Sequence, residues 1–370
     1  MNRRRILLGV AASAFAPKST LAASAIKPIR VVFLNPGESV ERATGQQWQL
    51  VVRFMVAAAK ALDMQLEVLY AERDHLLMLR QAEALTKRHT APDYVVLVNE
   101  KRMASRMLSV LGRMPSKVVL IHNDLTEAQR QEVGNERERI VNWIGTVTAD
   151  AKRAGYRLME YLHQRQANAT VPQVIGITGD PLTPVSLERA EGVYEWLINE
   201  PGAHLNQLVY GNWSFSDSYE KTRALLRRYP NTNLIWAAND SMAIGALKAC
   251  EAYGARPIVG GMGALPDALV SVMRGGLTAM MAGTYFIGAF AMVLIYDYHE
   301  GFDFAEHGGA RRKLDVLKLV HRGNASSYYE RLFGGLGDPD FSALSRARHR
   351  KLADYDFNID RLLDNIKKFS

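Results

Sequence analysis

The sequence predicts an α/β protein built as two similar, doubly wound parallel-sheet lobes in series. Short apolar, β-branched runs alternate with helical patterns along most of the chain. The alternation starts afresh after residue 150. The chain of 370 residues is 48% hydrophobic and 23% charged, an ordinary globular composition on a chain too long for one core.

The elements follow in order. Residues 29–34 form an apolar run closed by Asn35-Pro36-Gly37, a turn signal. A helical pattern covers 46–62, and strands at 66–70, 94–98 and 117–122 alternate with helices at 75–88 and 105–112. The second module repeats the rhythm: helix 151–164, strand 173–178, helix 186–199, strand 206–210, helix 218–229 and strand 234–237. Helix 241–253, a short strand at 257–259 and helix 266–274 complete it. Beyond residue 324, Gly334-Gly-Leu-Gly337 reads as a loop and 358–368 as a terminal helix.

The first residues set the compartment. Arg3, Arg4 and Arg5 precede an apolar run at 6–15, and small residues end at Leu21-Ala22-Ala23-Ser24-Ala25. This is the layout of a cleavable export signal over residues 1–25, and the arginine pair is compatible with twin-arginine export. The run is far shorter than the roughly 20 residues of a membrane span. The alternative, a buried N-terminal helix, lacks a neighbouring stripe to pack on. The only cysteine, Cys250, lies in an apolar helical stretch far from the signal, so no disulfide, cysteine-based metal site or lipid anchor is expected. The mature chain is expected to be a monomer, free in the periplasm. The net charge of +8 is scattered and partly belongs to the signal, and no basic stripe interleaves with aromatics, so nucleic acid is not an expected partner.

In doubly wound sheets ligands bind beyond the carboxyl ends of the strands. Those positions hold Asn35, Glu38, Ser39 and Trp48 after the first strand, and His122, Asn123 and Asp124 after the fourth. In the second module they hold Gly179-Asp180 with Glu188-Arg189, then Asn212-Trp213, then Asn239-Asp240. Amides, a guanidinium and carboxylates fork onto hydroxyl pairs, and aromatic faces cover C–H surfaces, so the set suits a small sugar-like ligand. Each residue also has a plainer reading: Asn239 or Asp240 as a helix cap, either tryptophan as core. No cofactor or metal is expected. The nine histidines form no His-Glu-x-x-His pattern, and no glycine-rich phosphate loop follows the first strand. His122 is placed where a general base could sit, which leaves a periplasmic hydrolase as the rival to a non-enzymatic binding protein.

The segment 236–249, Trp-Ala-Ala-Asn-Asp-Ser-Met-Ala-Ile-Gly-Ala-Leu-Lys-Ala, resembles the hallmark of type I periplasmic sugar-binding proteins and LacI-type regulators. So do its lead-in at 224–235 and the block Ile175-Gly-Ile-Thr-Gly-Asp180 followed by Ser186-Leu-Glu-Arg-Ala-Glu-Gly192. The resemblance covers essentially the whole mature chain, and a signal stands where regulators carry a DNA-binding headpiece. Within the family the chain is most similar to autoinducer-2 receptors of the LuxP type, through Asn35-Pro36-Gly37 with Trp48 and the stretches 117–126 and 257–276.

The resemblance implies that Arg189 forks onto ligand oxygens. It implies that Asn239 and Asp240 bind hydroxyls from the second lobe and Asn123 from the first. Trp48 and Trp213 would pack against opposite parts of the ligand, with Asn35, His122 and Met262 as further possible contacts. It also implies a three-strand hinge crossing near 146–150, 282–284 and 319–322. The first lobe would then be 26–147 plus 283–320, the second 148–282 plus 321–345, and 346–370 an extension. Two departures stand out. Sugar binders usually carry Gly-Phe-Asp-Gly where this chain has Gly260-Gly-Met-Gly263, and Met281-Ala282-Gly283 stands where relatives carry an arginine or glutamine. The implied partner is an ABC-type permease or a membrane sensor such as a kinase, cyclase or chemoreceptor.

Overall fold

The structure, a computed structural model, describes residues 27–40, 46–166, 171–364 and 366. The expected export signal lies outside the described residues. Among the described residues, no helix is long and apolar enough to cross a membrane.

The first lobe runs β1 (Ile29–Asn35), α1 (Gln47–Ala61), β2 (Met64–Tyr70), α2 (His75–Leu85), β3 (Tyr94–Val98), α3 (Ala104–Leu111), β4 (Lys117–Ile121), α4 (Glu127–Val133) and β5 (Trp143–Ala149). The second continues α5 (Ala151–His163), β6 (Gln173–Thr178), α6 (Pro184–Asn199), β7 (His204–Tyr210), α7 (Phe215–Arg228) and β8 (Leu234–Ala237). It closes with α8 (Asp240–Tyr253), β9 (Ile258–Gly263), α9 (Pro266–Arg274) and β10 (Ala279–Ala282). The chain then returns for α10 (Ile287–His299) and β11 (Arg311–Leu314), crosses again to β12 (Lys318–His321) and α11 (Ala325–Phe333), and ends in α12 (Ile359–Asp364).

The sheets have orders β11-β5-β4-β3-β1-β2 and β12-β10-β9-β8-β6-β7. All pairings in the first are parallel, and in the second only β12, against β10, is antiparallel. The central strands β3 and β8 are buried at every position, as expected for strands covered by helices on both faces. In each lobe the order reverses once, between β1 and β3 and between β6 and β8. That reversal opens a crevice at the strand ends.

Three connections pass between the lobes: β5 into α5, β10 into α10, and β11 into β12. The last differs from the expected crossing at 319–322. Lys318–His321 is hydrogen-bonded to β10 of the second sheet, so the chain crosses at 315–317. A second boundary also moves. The tail near residue 341 was expected in the second lobe, yet Phe341 is fully buried against Phe54 of α1 and Phe290 of α10, at ring distances of 6.3 and 6.4 Å. Further on, Phe357 stacks on Phe290 at 4.6 Å, and α12 pairs Asp360 with Lys318 and Asp364 with Arg331. Aromatic side chains spaced along an otherwise polar tail chose their partners by apolar burial, which a boundary drawn by resemblance does not register.

The α5–α6 contact positions the site. A Cβ on Gly192 would lie 2.1 Å from the Lys152 carbonyl, so only glycine allows the two helices to cross this closely. Arg189 lies one turn earlier on the same helix.

Candidate functional site

Between the lobes lies a cavity of about 100 Å³. A single water needs only roughly 10–15 Å³ of such space, so the cavity can hold a small organic molecule. The first lobe lines it with Gln47, Trp48, Arg73, Glu100, His122 and Asn123. The second contributes chiefly Thr183, Val185, Arg189, Trp213, Asn239, Asp240 and Met262. Ala149, Thr284 and Leu317 come from the crossing segments.

Backbone strain collects here. Among the described residues, ten non-glycine residues have positive φ; eight of them, Glu72, Arg73, Lys101, Arg102, His122, Asn212, Trp213 and Ala264, lie within four residues after a strand, and three of those, Arg73, His122 and Trp213, line the cavity. Such conformations persist only where the surroundings over-determine them, and they gather at ligand clamps. At Arg73, His122 and Trp213 the turn off the strand brings the side chain to the cavity.

In the second lobe Arg189 is only 8% exposed. It donates to the Ala238 carbonyl, and its guanidinium carbon lies 5.7 Å from the Trp213 ring centroid. Its Nε has no hydrogen-bond partner among the described residues. Burial lowers this guanidinium to about 10, an effect that nearby Asp240 opposes. Asp240, 5% exposed, accepts from the Leu265 amide at 2.8 Å, and burial pushes its carboxyl up to about 7 against that bond and Arg189. Asn239 caps α8: its Oδ1 accepts from the Met242 amide at 2.8 Å, while its Nδ2 donates to the Trp213 carbonyl at 3.2 Å. The cap reading and the cleft reading of Asn239 therefore coexist, because the capping residue itself lines the cavity.

The first lobe is arranged differently. Trp48 lies edge-on to the His122 ring, with centroids 5.0 Å apart. Room for each tryptophan comes from a glycine: a Cβ on Gly37 would meet Trp48 at 2.3 Å, and one on Gly179 would meet Trp213 at 2.1 Å. His122 is half-buried with its Nε2 enclosed and, among the described residues, without a partner; desolvation together with Arg189 lowers it to about 3, so the ring is neutral. An imidazole lowered this far is a weak base, and among the described residues no nucleophile or carboxylate is hydrogen-bonded to it. Asn123 reaches across the cleft, accepting from the Val185 amide at 3.4 Å. Lys101–Asp180 and Lys313–Glu188 also bridge the lobes, both at 3.8 Å.

Seven of the sequence-derived residues line the cavity: Trp48, His122, Asn123, Arg189, Trp213, Asn239 and Asp240; so does Met262, inside β9 and fully buried. Asn35 is the correction. It is fully buried and absent from the lining; its Oδ1 accepts from the Gly37 amide at 2.8 Å, so it shapes the turn that seats Trp48. Met281, noted as a departure, is also buried outside the lining, paired with Met262 across β9 and β10.

The reading from sequence missed Arg73 and Glu100, an ion pair at 3.3 Å whose carboxylate is almost wholly buried. Both follow strands, so the rule that found the others would have found them. The Glu100 loop is held by Asn99, which donates to the Asp124 carbonyl at 2.8 Å and accepts from the Ala104 amide at 3.0 Å. Thr284 and Leu317 follow β10 and β11, two short strands that the sequence reading did not mark as strands, although 282–284 was read as a crossing. Among the described residues, no group of three or more His, Cys, Asp or Glu side chains could hold a metal ion.

Known proteins share this architecture. The chain superimposes on a periplasmic sugar-binding protein from Pseudomonas fluorescens with a TM-score of 0.80 and 32% identity, covering 90% of this chain and 99% of that one. A solute-binding protein of an Actinobacillus succinogenes ABC transporter, solved with D-allose, gives a TM-score of 0.70 at 19% identity, covering 82% of this chain and all (100%) of the other; this likeness is one of fold. The galactofuranose-binding protein YtfQ of Escherichia coli is 26% identical over 157 residues, 39% of this chain and 49% of that one. The chain thus spans about half or less of the length of the curated relatives it matches. Two sheets of one plan, a cleft at their strand ends and a match over residues 39–301 to the periplasmic binding protein domain lead to one conclusion: the chain belongs to the periplasmic binding protein family.

Proposed function

We propose that the chain is a periplasmic solute-binding protein that closes its cleft on one small sugar-like polyol and performs no chemistry on it. The observation that carries this reading is Arg189: a guanidinium buried between Trp213 and Asp240 with its Nε unpartnered. A buried donor of this kind is costly unless a ligand oxygen completes it. A ring stacked on Trp213 or Trp48 would bring hydroxyls within reach of Arg189, Asn123 and Glu100. Relatives and structural neighbours that bind galactofuranose, D-allose or myo-inositol support the ligand class.

Closure works by differential affinity. The ligand shifts the lobes toward the closed arrangement by the free energy it gains from touching both. A membrane permease of the ABC type would read that closed shape. Reception of a signal for a membrane sensor, as in LuxP-type proteins, would use the same cleft chemistry and differ only in the partner.

The test is a thermal-shift screen of the mature protein against pentoses, hexoses, cyclitols, furanosyl borates and amino acids. A sugar or cyclitol at 100 times its dissociation constant should add about 2.7 kcal/mol and raise Tm. A response to amino acids alone, or to nothing in the panel, overturns the reading.

A further inference from the structure

The C-terminal segment joins the lobes a second way. The chain leaves the second lobe at the end of α11, and Asp338 already pairs with Arg53 of α1 in the first lobe, at 2.7 Å. Phe341 is buried there between Phe54 and Phe290. The firm anchor is Asp297 of α10, a fully buried carboxylate. It accepts from the Ser345 hydroxyl and from the Arg346 and Ala347 amides, the last two at 2.7 and 3.2 Å. A buried carboxylate stripped of such donors is costly, so residues 345–347 are an integral part of the first lobe. Phe357 then stacks on Phe290. Three residues later Asp360 pairs with Lys318 of β12, and Asp364 pairs with Arg331 of α11, both in the second lobe.

The return link has little slack. From Phe357 to Asp360 an extended chain spans at most about 11 Å. Between them Ile359 is buried, and a Cβ on Gly283 would lie 2.3 Å from its Cδ1, so α12 rests on the crossing from β10 to α10. Rotation of the second lobe about the crossings moves β12 and α11 relative to α10, and so short a link transmits that movement to α12. All of these contacts coexist with the contacts across the cleft, Asn123 to the Val185 amide and Lys101 to Asp180.

We propose that residues 338–364 are a strap across the hinge: fixed in the first lobe through Asp297 and Phe357 and held on the second through α12, they restrain opening and keep the ligand-free protein near the arrangement in which the lobes touch. The strap acts whatever the cleft binds, so it goes beyond the function proposed above. It releases at the second lobe, because Asp360 and Asp364 are each 60% exposed and exposed ion pairs hold weakly.

The experiment is double electron–electron resonance on the ligand-free mature protein, spin-labelled at Leu76→Cys and Leu182→Cys. Leu76 opens α2 in the first lobe, Leu182 lies between β6 and α6 in the second, both are half-exposed, and the native Cys250 is buried. The parent should populate mainly short distances. Asp360→Ala combined with Asp364→Ala should raise the longer-distance population about two- to tenfold, and deletion of residues 358–370 should raise it further. Circular dichroism checks that each variant folds; the double substitution, at exposed positions, decides alone if the deletion does not. A shift to longer distances in either folded variant supports the strap. Unchanged or shorter distances in every folded variant overturn it and leave the sugar-binding reading standing.

Discussion

In the second lobe Asn239, Asp240 and Arg189 each spend a hydrogen bond on their own lobe, to the Met242 and Leu265 amides and the Ala238 carbonyl. In the first lobe His122 keeps an unpartnered Nε2, and Asn123 finds its partner across the cleft at the Val185 amide. The two halves share one strand order, the antiparallel β12 apart, and differ in their degree of preparation. The second lobe ties each of these groups within itself and leaves the Arg189 Nε open to a ligand. The first presents groups whose hydrogen bonding is completed by closure or by ligand. Preorganisation lowers the ordering cost of binding, so the second lobe should carry most of the affinity and the first most of the coupling between ligand and closure.

The largest expected effect tests the first half of that contrast. Arg189→Ala should weaken ligand binding by at least about 100-fold, because it removes a charged donor and leaves ligand oxygens unpaired in a closed cleft. Titration would measure the loss, and an unchanged far-ultraviolet spectrum would show that the fold survives. Parent-like binding would mean the site is misplaced.

The next effect sets the lobes against each other by pH. His122 is lowered to about 3 in the fold, so its contribution is lost as pH falls below its unfolded value near 6.5. Asp240 is raised to about 7, so its ionised burial costs stability as pH rises from about 4 to 7, and acidification through that window stabilises. Between about pH 4 and 6.5 the two slopes oppose, each up to about 1.4 kcal/mol per pH unit. Urea denaturation should therefore show His122→Gln gaining stability and Asp240→Asn losing it between pH 6.5 and 5, by about 1–2 kcal/mol each. Parallel slopes in the two variants would refute the assignment.

The smallest effect sharpens the second half. Asn123→Ala should weaken binding only about five- to tenfold, yet reduce the compaction that ligand produces in small-angle X-ray scattering. A loss as large as that of Arg189→Ala would erase the distinction between the lobes.

Most of the site was legible because one rule covers it. In a doubly wound sheet the residue after a strand faces the crevice, so Trp48, Asn123, Arg189, Trp213, Asn239 and Asp240 could be named from the spacing of apolar runs and from family resemblance. Asn35 satisfied the same rule and failed it, since its short amide bonds the Gly37 amide two residues on, a local competition that spacing does not reveal. Leu317 and Thr284 were missed for another reason: they follow β11 and β10, four-residue strands too short to stand out as apolar runs, and they line the cleft where the chain crosses between the sheets.

Sequence alone determined the α/β alternation, its restart after residue 150 and the chemical character of the strand ends, because local periodicity and turn chemistry are written in neighbouring residues. Tertiary structure decided which sheet claimed residues 318–321, where Phe341 was buried, which strand-end residues took left-handed backbone, and that the crossing residues Ala149, Thr284 and Leu317 line the cleft. Each of those depends on contacts between residues far apart in the chain, settled by burial and backbone pairing across the whole fold rather than by any local pattern.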